Sequence, residues 1–419
     1  MIELLGYNKV ADETFPNLVP LLTGLSLREL KKTCWLYSYQ TLDKCPWIWN
    51  NFHNAGFISG YAEDATHIGL FRYHNEGLDN KPTDFDITPF MELAEEDIGS
   101  RYTYSSKLCL GKQMCLEALF DYVPKFATAF ENYRKFGFVW SSSLTHDNLN
   151  YASLADEPYV KLIGQLEQVL NKTILILLSD HGLRNDKIRQ VFQGYLEDRL
   201  PYVFFVFPQS FKEAYPASIK NLEINSHRLT TPFDMHETLL DLTNAELLLN
   251  DEAIRRRTLK LQNMTSMPRA ISLFLPIPES RTCEDAEIGT FYCTCHKSTT
   301  ISPTGSLVQG IAEAFVDYIN SLLKKFKKCS VLSLVEVKNA RIEYNPAQWF
   351  KQNEVQKHVQ YYVVTVKTAP GDAVFEGMVA KNSKKNTYHI IGNISRINMY
   401  RSQSDCIDEY DIKYYCYCL

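Results

Sequence analysis

The stretch that most constrains this chain is Thr173–Gly182, Thr-Ile-Leu-Ile-Leu-Leu-Ser-Asp-His-Gly. An unbroken run of uncharged β-branched and leucine side chains predicts a strand buried on both faces. The run stops at Ser179-Asp180-His181-Gly182, which sets a carboxylate beside an imidazole. Ligands of open α/β sheets bind at the carboxyl ends of strands, so Asp180 and His181 stand where chemistry is expected. A hard oxygen donor next to a nitrogen donor suits a divalent ion such as Zn²⁺ or Mn²⁺. The competing reading is a turn in which Asp180 caps the next helix.

Neighbouring segments repeat the pattern. Gly56–Tyr61 reads as a strand running into Glu63-Asp64, and Phe136–Ser141 as a strand running into Thr145-His146-Asp147. His146 is thereby a candidate substrate or metal ligand, with a plain loop histidine as the alternative. Glu63 and Asp64 read as site carboxylates or, more commonly, as a solvated strand end. Glu157–Leu170 has helical spacing and leads into the opening strand, and Pro201–Phe207 reads as another buried strand. This alternation predicts a doubly wound, mostly parallel α/β sheet. Near the start, Met1–Val10 suits an edge strand. In Thr14-Phe-Pro-Asn, Pro16 fits the first turn of a helix and Gly24 its stop. Thr14 then lies at or just before a helix N-terminus, where N–H groups and the dipole favour an anion, an alkoxide or a phosphoryl oxygen. A capping threonine is the bland alternative.

With 419 residues, the chain is long enough for a large α/β domain and a smaller one. The expected division is 1–260 for the α/β domain, 261–280 for a proline-containing linker or wrapping arm, and 281–419 for a Cys-rich α+β subdomain. In that last part, Val308–Phe326 reads as a helix, followed by strands at Val331–Ile342, His358–Thr368, Ala373–Val379 and Thr387–Ile397. A net charge of −5 gives no electrostatic case for nucleic acid or an anionic membrane. No apolar run approaches the ~18 residues of a membrane span, and no signal segment follows Met1. Eleven cysteines, several in close pairs in loop-like sequence, predict a disulfide framework with one thiol left over. Asn171-Lys-Thr, Asn263-Met-Thr and Asn393-Ile-Ser are glycosylation acceptors, and with the cysteines they place the chain in the secretory pathway or outside the cell.

Thr14-Phe-Pro-Asn, the following Leu-Leu-Thr-Gly24 and the later Ser179-Asp-His-Gly together resemble the alkaline phosphatase/sulfatase superfamily. Gly6-Tyr-Asn-Lys-Val, Ala62-Glu-Asp, Ser143-Leu-Thr-His-Asp, Ser179-Asp-His-Gly-Leu-Arg, Leu196-Glu-Asp-Arg-Leu-Pro and Arg281-Thr-Cys-Glu-Asp narrow the resemblance. They are similar to segments of an animal family, abundant in nematodes, called domain of unknown function 229.

The superfamily resemblance implies a sulfatase-like fold in which Thr14, Asp180 and His181 ligate one divalent metal, Zn²⁺ or Mn²⁺ rather than Ca²⁺. It makes Thr14 the nucleophile and His146 a substrate-contacting general acid. Sulfatases form formylglycine from Cys or Ser, which Thr14 cannot give, and Leu18 stands where they carry Arg. A phosphate ester is therefore expected: a phosphodiester or phosphoglycerol-type small molecule, lipid headgroup or glycan. Relatives also place a strand ending in an acidic ligand upstream of the nucleophile. Only thirteen residues precede Thr14 here, so that strand is expected to be missing. Two function classes follow: a metal-dependent hydrolase or transferase, and a catalytically impaired relative serving as an extracellular binding protein.

Overall fold

Ile174, Ile176 and Leu178 of the opening stretch pack against a large apolar core. In the computed structural model, which describes residues 1–72, 76–130, 132–344 and 358–419, strand Leu175–Leu178 is half-buried along its length. It pairs antiparallel with Val203–Val206, which in turn pairs antiparallel with Ile2–Glu3. The expected parallel pairing is thus corrected at this strand, although the N-terminal segment does form an edge. The connection between Leu175–Leu178 and Val203–Val206, residues 179–202, contains only short helices. A parallel crossover needs a long element packed on the sheet face, whereas an antiparallel neighbour needs only a reversal of the chain. Parallel pairing joins Ile58–Glu63 to Phe85–Asp86 and Lys135–Trp140, and a single parallel bridge links Tyr7 to Thr230. A small antiparallel sheet of Gly99–Tyr102, Lys107–Leu110 and Gln113–Met114 was not foreseen. The observed class is mixed α/β with several sheets.

Two compact units emerge: residues 1–181 with 200–281, and residues 182–199 with 282–419. In the first, helix Thr14–Thr23 ends at Gly24, whose φ of 70° places it in the left-handed region and whose N–H closes on Pro20 O. A Cβ at Gly24 would lie 2.7 Å from the His236 ring, so glycine serves both the turn and the close approach. His236 is buried, its Nδ1 lies 3.0 Å from Leu21 O, and burial lowers its pKa. It packs helix Pro232–Thr243 onto the first helix. Helix Ile48–Asn54 begins just after Pro46, which disfavours helical geometry in the residue before it. Residues 269–281 wrap this unit: Asn225 Nδ2 donates to Leu273 O and Leu275 O, and buried Arg281 pairs with buried Asp234 at 2.8 Å.

In the second unit, strands Lys297–Thr300, Ser333–Tyr344, Val359–Ala369, Val374–Asn382 and Thr387–Arg396 form one antiparallel sheet in chain order. Helix Ser306–Leu323 buries Val308, Ile311, Phe315 and Ile319 in a shared core with Val364, Val366 and Phe375 of that sheet. This i, i+3/i+4 spacing against period-2 strands is the pattern expected from the sequence. The 182–199 segment enters this unit through Arg189 and Arg199, which lie 3.1 and 3.2 Å from the buried carboxylate of Glu376.

Disulfides join Cys34–Cys45, Cys283–Cys293, Cys329–Cys416 and Cys406–Cys418. Cys109, Cys115 and Cys295 remain as thiols, so three are left over rather than one. Asn171, Asn263 and Asn393 are all exposed. Among the described residues, no helix is long and apolar enough to cross a membrane.

Candidate functional site

Thr14 is the first residue of its helix, and Glu13 before it is extended and provides no side-chain cap. Pro16 lacks an N–H, so the N–H groups of Thr14 and Phe15 carry the donor character of the helix start. The loop leading in is shaped by buried Asn17. Its Oδ1 accepts from the N–H of Val10 and Ala11, each at 2.9 Å, and its Nδ2 donates to Ala11 O and Glu13 O at 3.0 and 2.9 Å. One asparagine thereby satisfies four backbone groups of the turn that presents Thr14. Phe15 anchors the same turn edge-on against Trp35.

At the other side of the site, Ser179 N–H donates to Tyr202 O at 3.0 Å and Ser179 Oγ donates to His181 O at 2.7 Å. These two bonds set the corner at the end of strand Leu175–Leu178, from which Asp180 and His181 project. Thr14 Oγ1 lies 3.3 Å from His181 Nε2, although the two residues are far apart in sequence. Asp180 Oδ2 lies 3.2 Å from the same nitrogen. That carboxylate oxygen is buried and makes no hydrogen bond of proper geometry. A hydroxyl, a carboxylate and an imidazole nitrogen therefore meet at one point.

The meeting point differs from a serine-protease-like relay. A relay places the carboxylate on Nδ1 and the hydroxyl on Nε2, so that one nitrogen is oriented while the other takes the proton. Here both oxygens address Nε2, which has room for a single proton. Three donors facing one another, one of them an orphaned buried oxygen, fit a shared electrophile better than proton relay. Oxygen and nitrogen donors of this kind suit Zn²⁺ or Mn²⁺. Tyr7, buried behind them, has its hydroxyl pKa pushed well up, first by burial and then by the charges of Asp180 and Asp234.

His146 belongs to the loop that follows strand Lys135–Trp140. Its Nδ1 lies 2.8 Å from Asp147 Oδ1, and among the described residues no hydrogen bond or ion pair joins it to Thr14, Asp180 or His181. Burial would raise the Asp147 carboxyl, but hydrogen bonds from His146 and Ser105 hold it well below the usual range. Glu63 and Asp64 are buried rather than solvated. Asp64 accepts from Ser141 Oγ, Ser142 N, Ser143 N and Ser143 Oγ, tying two strand ends together. Asn17 went unread as a site organiser. Its signal was local: an asparagine one turn past a loop rich in Asp and Glu can bond backbone donors and acceptors alike.

These features define a disulfide-stapled mixed α/β protein with a convergent hydroxyl–carboxylate–imidazole corner. The family model described as "Protein of unknown function (DUF229)" matches residues 1–338, and the chain belongs to that family. A comparison with curated proteins finds no match.

Proposed function

We propose that this chain is a metal-dependent phosphate-ester hydrolase or transferase of the alkaline phosphatase/sulfatase superfamily, with Thr14 as nucleophile. The observation that supports it is the convergence of Thr14 Oγ1 and Asp180 Oδ2 on His181 Nε2. Thr14, Asp180 and His181 would hold one divalent ion, Zn²⁺ or Mn²⁺, which supplies a Lewis acid and a lowered hydroxyl pKa. Thr14 attacks phosphorus from a helix N-terminus, whose N–H groups and dipole favour the anionic ester. The oxygen–phosphorus bond to the leaving group breaks as the Thr14 Oγ–phosphorus bond forms, and water or an acceptor alcohol later releases the phosphoryl group. Asn17 keeps the attacking hydroxyl in register by fixing its loop. His146 is assigned the leaving-group proton: with Nδ1 tied to Asp147, its Nε2 serves as the acid.

Threonine at position 14 directs the choice of ester toward phosphate, because it cannot yield the aldehyde on which sulfatases depend. Four disulfides suit an oxidising, extracellular setting for the reaction. The expected outcome is hydrolysis of an aryl phosphodiester by the full chain in Zn²⁺ or Mn²⁺, with a loss of several orders of magnitude on Thr14→Ala. Activity that survives Thr14→Ala would contradict the proposal. Stoichiometric metal binding without turnover would favour an extracellular binding protein instead.

A further inference from the structure

Three sulfurs crowd together in the second unit. Cys283 and Cys293 form a disulfide, and Cys295, two residues on, keeps a thiol. The Sγ atoms of all three lie within 4.8 Å of one another. Cys283 and Cys293 are buried, at 8% and 3% exposure, while Cys295 is exposed. A thiol held against a disulfide is the arrangement that thiol–disulfide exchange requires, and here nucleophile and disulfide belong to one short loop.

We infer that Cys283, Cys293 and Cys295 form an intramolecular exchange site in which the Cys295 thiolate displaces Cys293 from Cys283. Cys295 gives its proton to solvent and its sulfur attacks Cys283 Sγ. The Cys283–Cys295 bond forms as the Cys283–Cys293 bond breaks, the electron pair leaves on Cys293, and that thiolate takes a proton. No external oxidant or reductant enters, because one disulfide and one thiol are present before and after. Attack on Cys283 is preferred over attack on Cys293, since bonding Cys293 to Cys295 would close a ring across a single intervening residue. The exchange moves the free thiol from an exposed position to a buried one, so it masks a reactive group. The attacking species is the Cys295 thiolate, so exchange quickens as the pH rises.

The test uses the unreduced full chain and maleimide as the thiol probe. After acid quench, the chain is unfolded in maleimide and cleaved at Arg281 and Lys297, then reduced and given a second alkylating label. Fragment spectra of the Thr282–Lys297 peptide then show which sulfur was free. The wild-type chain is expected to carry maleimide on Cys295 and also on Cys293, with the Cys293 share rising with pH. Cys293→Ser is expected to lose maleimide from both Cys283 and Cys295, because those two now pair, whereas Cys283→Ser keeps two labelled thiols as a control. Maleimide confined to Cys295 in the wild-type chain at every pH, or maleimide on both Cys283 and Cys295 in Cys293→Ser, would overturn the inference. The wild-type labelling stands by itself should either variant fail to fold.

Discussion

At the scale of single residues, Asn17 shows how a site can depend on a side chain that does no chemistry. It lies buried with its amide fully used, donating to Ala11 O and Glu13 O and accepting from two N–H groups. Removing it leaves four half-buried backbone groups that water satisfies only in part, so the total loss stays well under the about 1–3 kcal/mol per group of full burial. Asn17→Ala is therefore expected to lower stability by about 2–3 kcal/mol, read as a shifted denaturation midpoint. Asn17→Asp keeps the acceptor oxygen but loses both donors, and its second oxygen would face Ala11 O and Glu13 O. It should be no better than Ala; wild-type stability in either variant would contradict the loop-fixing role. Thr14 differs in kind: it is half-buried at the helix start and has little packing to lose. Thr14→Ala should accordingly leave the fold intact and remove activity, which separates the two roles.

Among the elements, the strand Ile58–Glu63 ends in a carboxylate that is 3% exposed and accepts from Leu70 N–H. Burial pushes the Glu63 pKa from 4.5 up to about 7, with the Leu70 bond working against the shift. The folded chain thus holds a proton that the unfolded chain has already released. Its contribution is complete below about pH 4.5 and is lost as the pH rises through about 7. Urea titrations across that window should show stability falling with pH by up to about 3 kcal/mol, and Glu63→Gln should flatten the slope. An unchanged slope in the variant would sink this assignment. The elements also show what a sequence displays. Helix Ser306–Leu323 and the strands after it were legible because apolar spacing at 3.6 and at 2 residues is a local property. The pairing of Leu175–Leu178 was not legible: a run of Ile and Leu reports burial, whereas strand direction depends on where residues 179–202 take the chain. Asp180 and His181 stood out because an abrupt Asp-His at a strand end is itself unusual; Pro16 and Gly24 gave only the position of Thr14 at a helix start, and its candidacy came from the superfamily resemblance.

Across the whole molecule, the family match runs from residue 1 to residue 338 and so covers the convergent corner entirely. Covalent stapling is uneven. Cys34–Cys45 belongs to the first unit, while the other three disulfides lie in the second. Cys329–Cys416 closes the longest loop, with a separation of 87 residues, and so restricts the unfolded chain most. Replacing both cysteines with serine should cost about 4 kcal/mol, seen as a lowered midpoint for loss of the five-stranded sheet; an unaltered midpoint would contradict this. The central claim, however, concerns the corner where Thr14 and Asp180 meet His181. Its most direct test is titration calorimetry of the chelator-stripped full chain with Zn²⁺ and with Mn²⁺. One ion bound per chain, with binding lost in Asp180→Asn and in His181→Ala but retained in His146→Ala, is the result expected. No binding by the wild-type chain, or equal binding by Asp180→Asn and His181→Ala, would contradict the account.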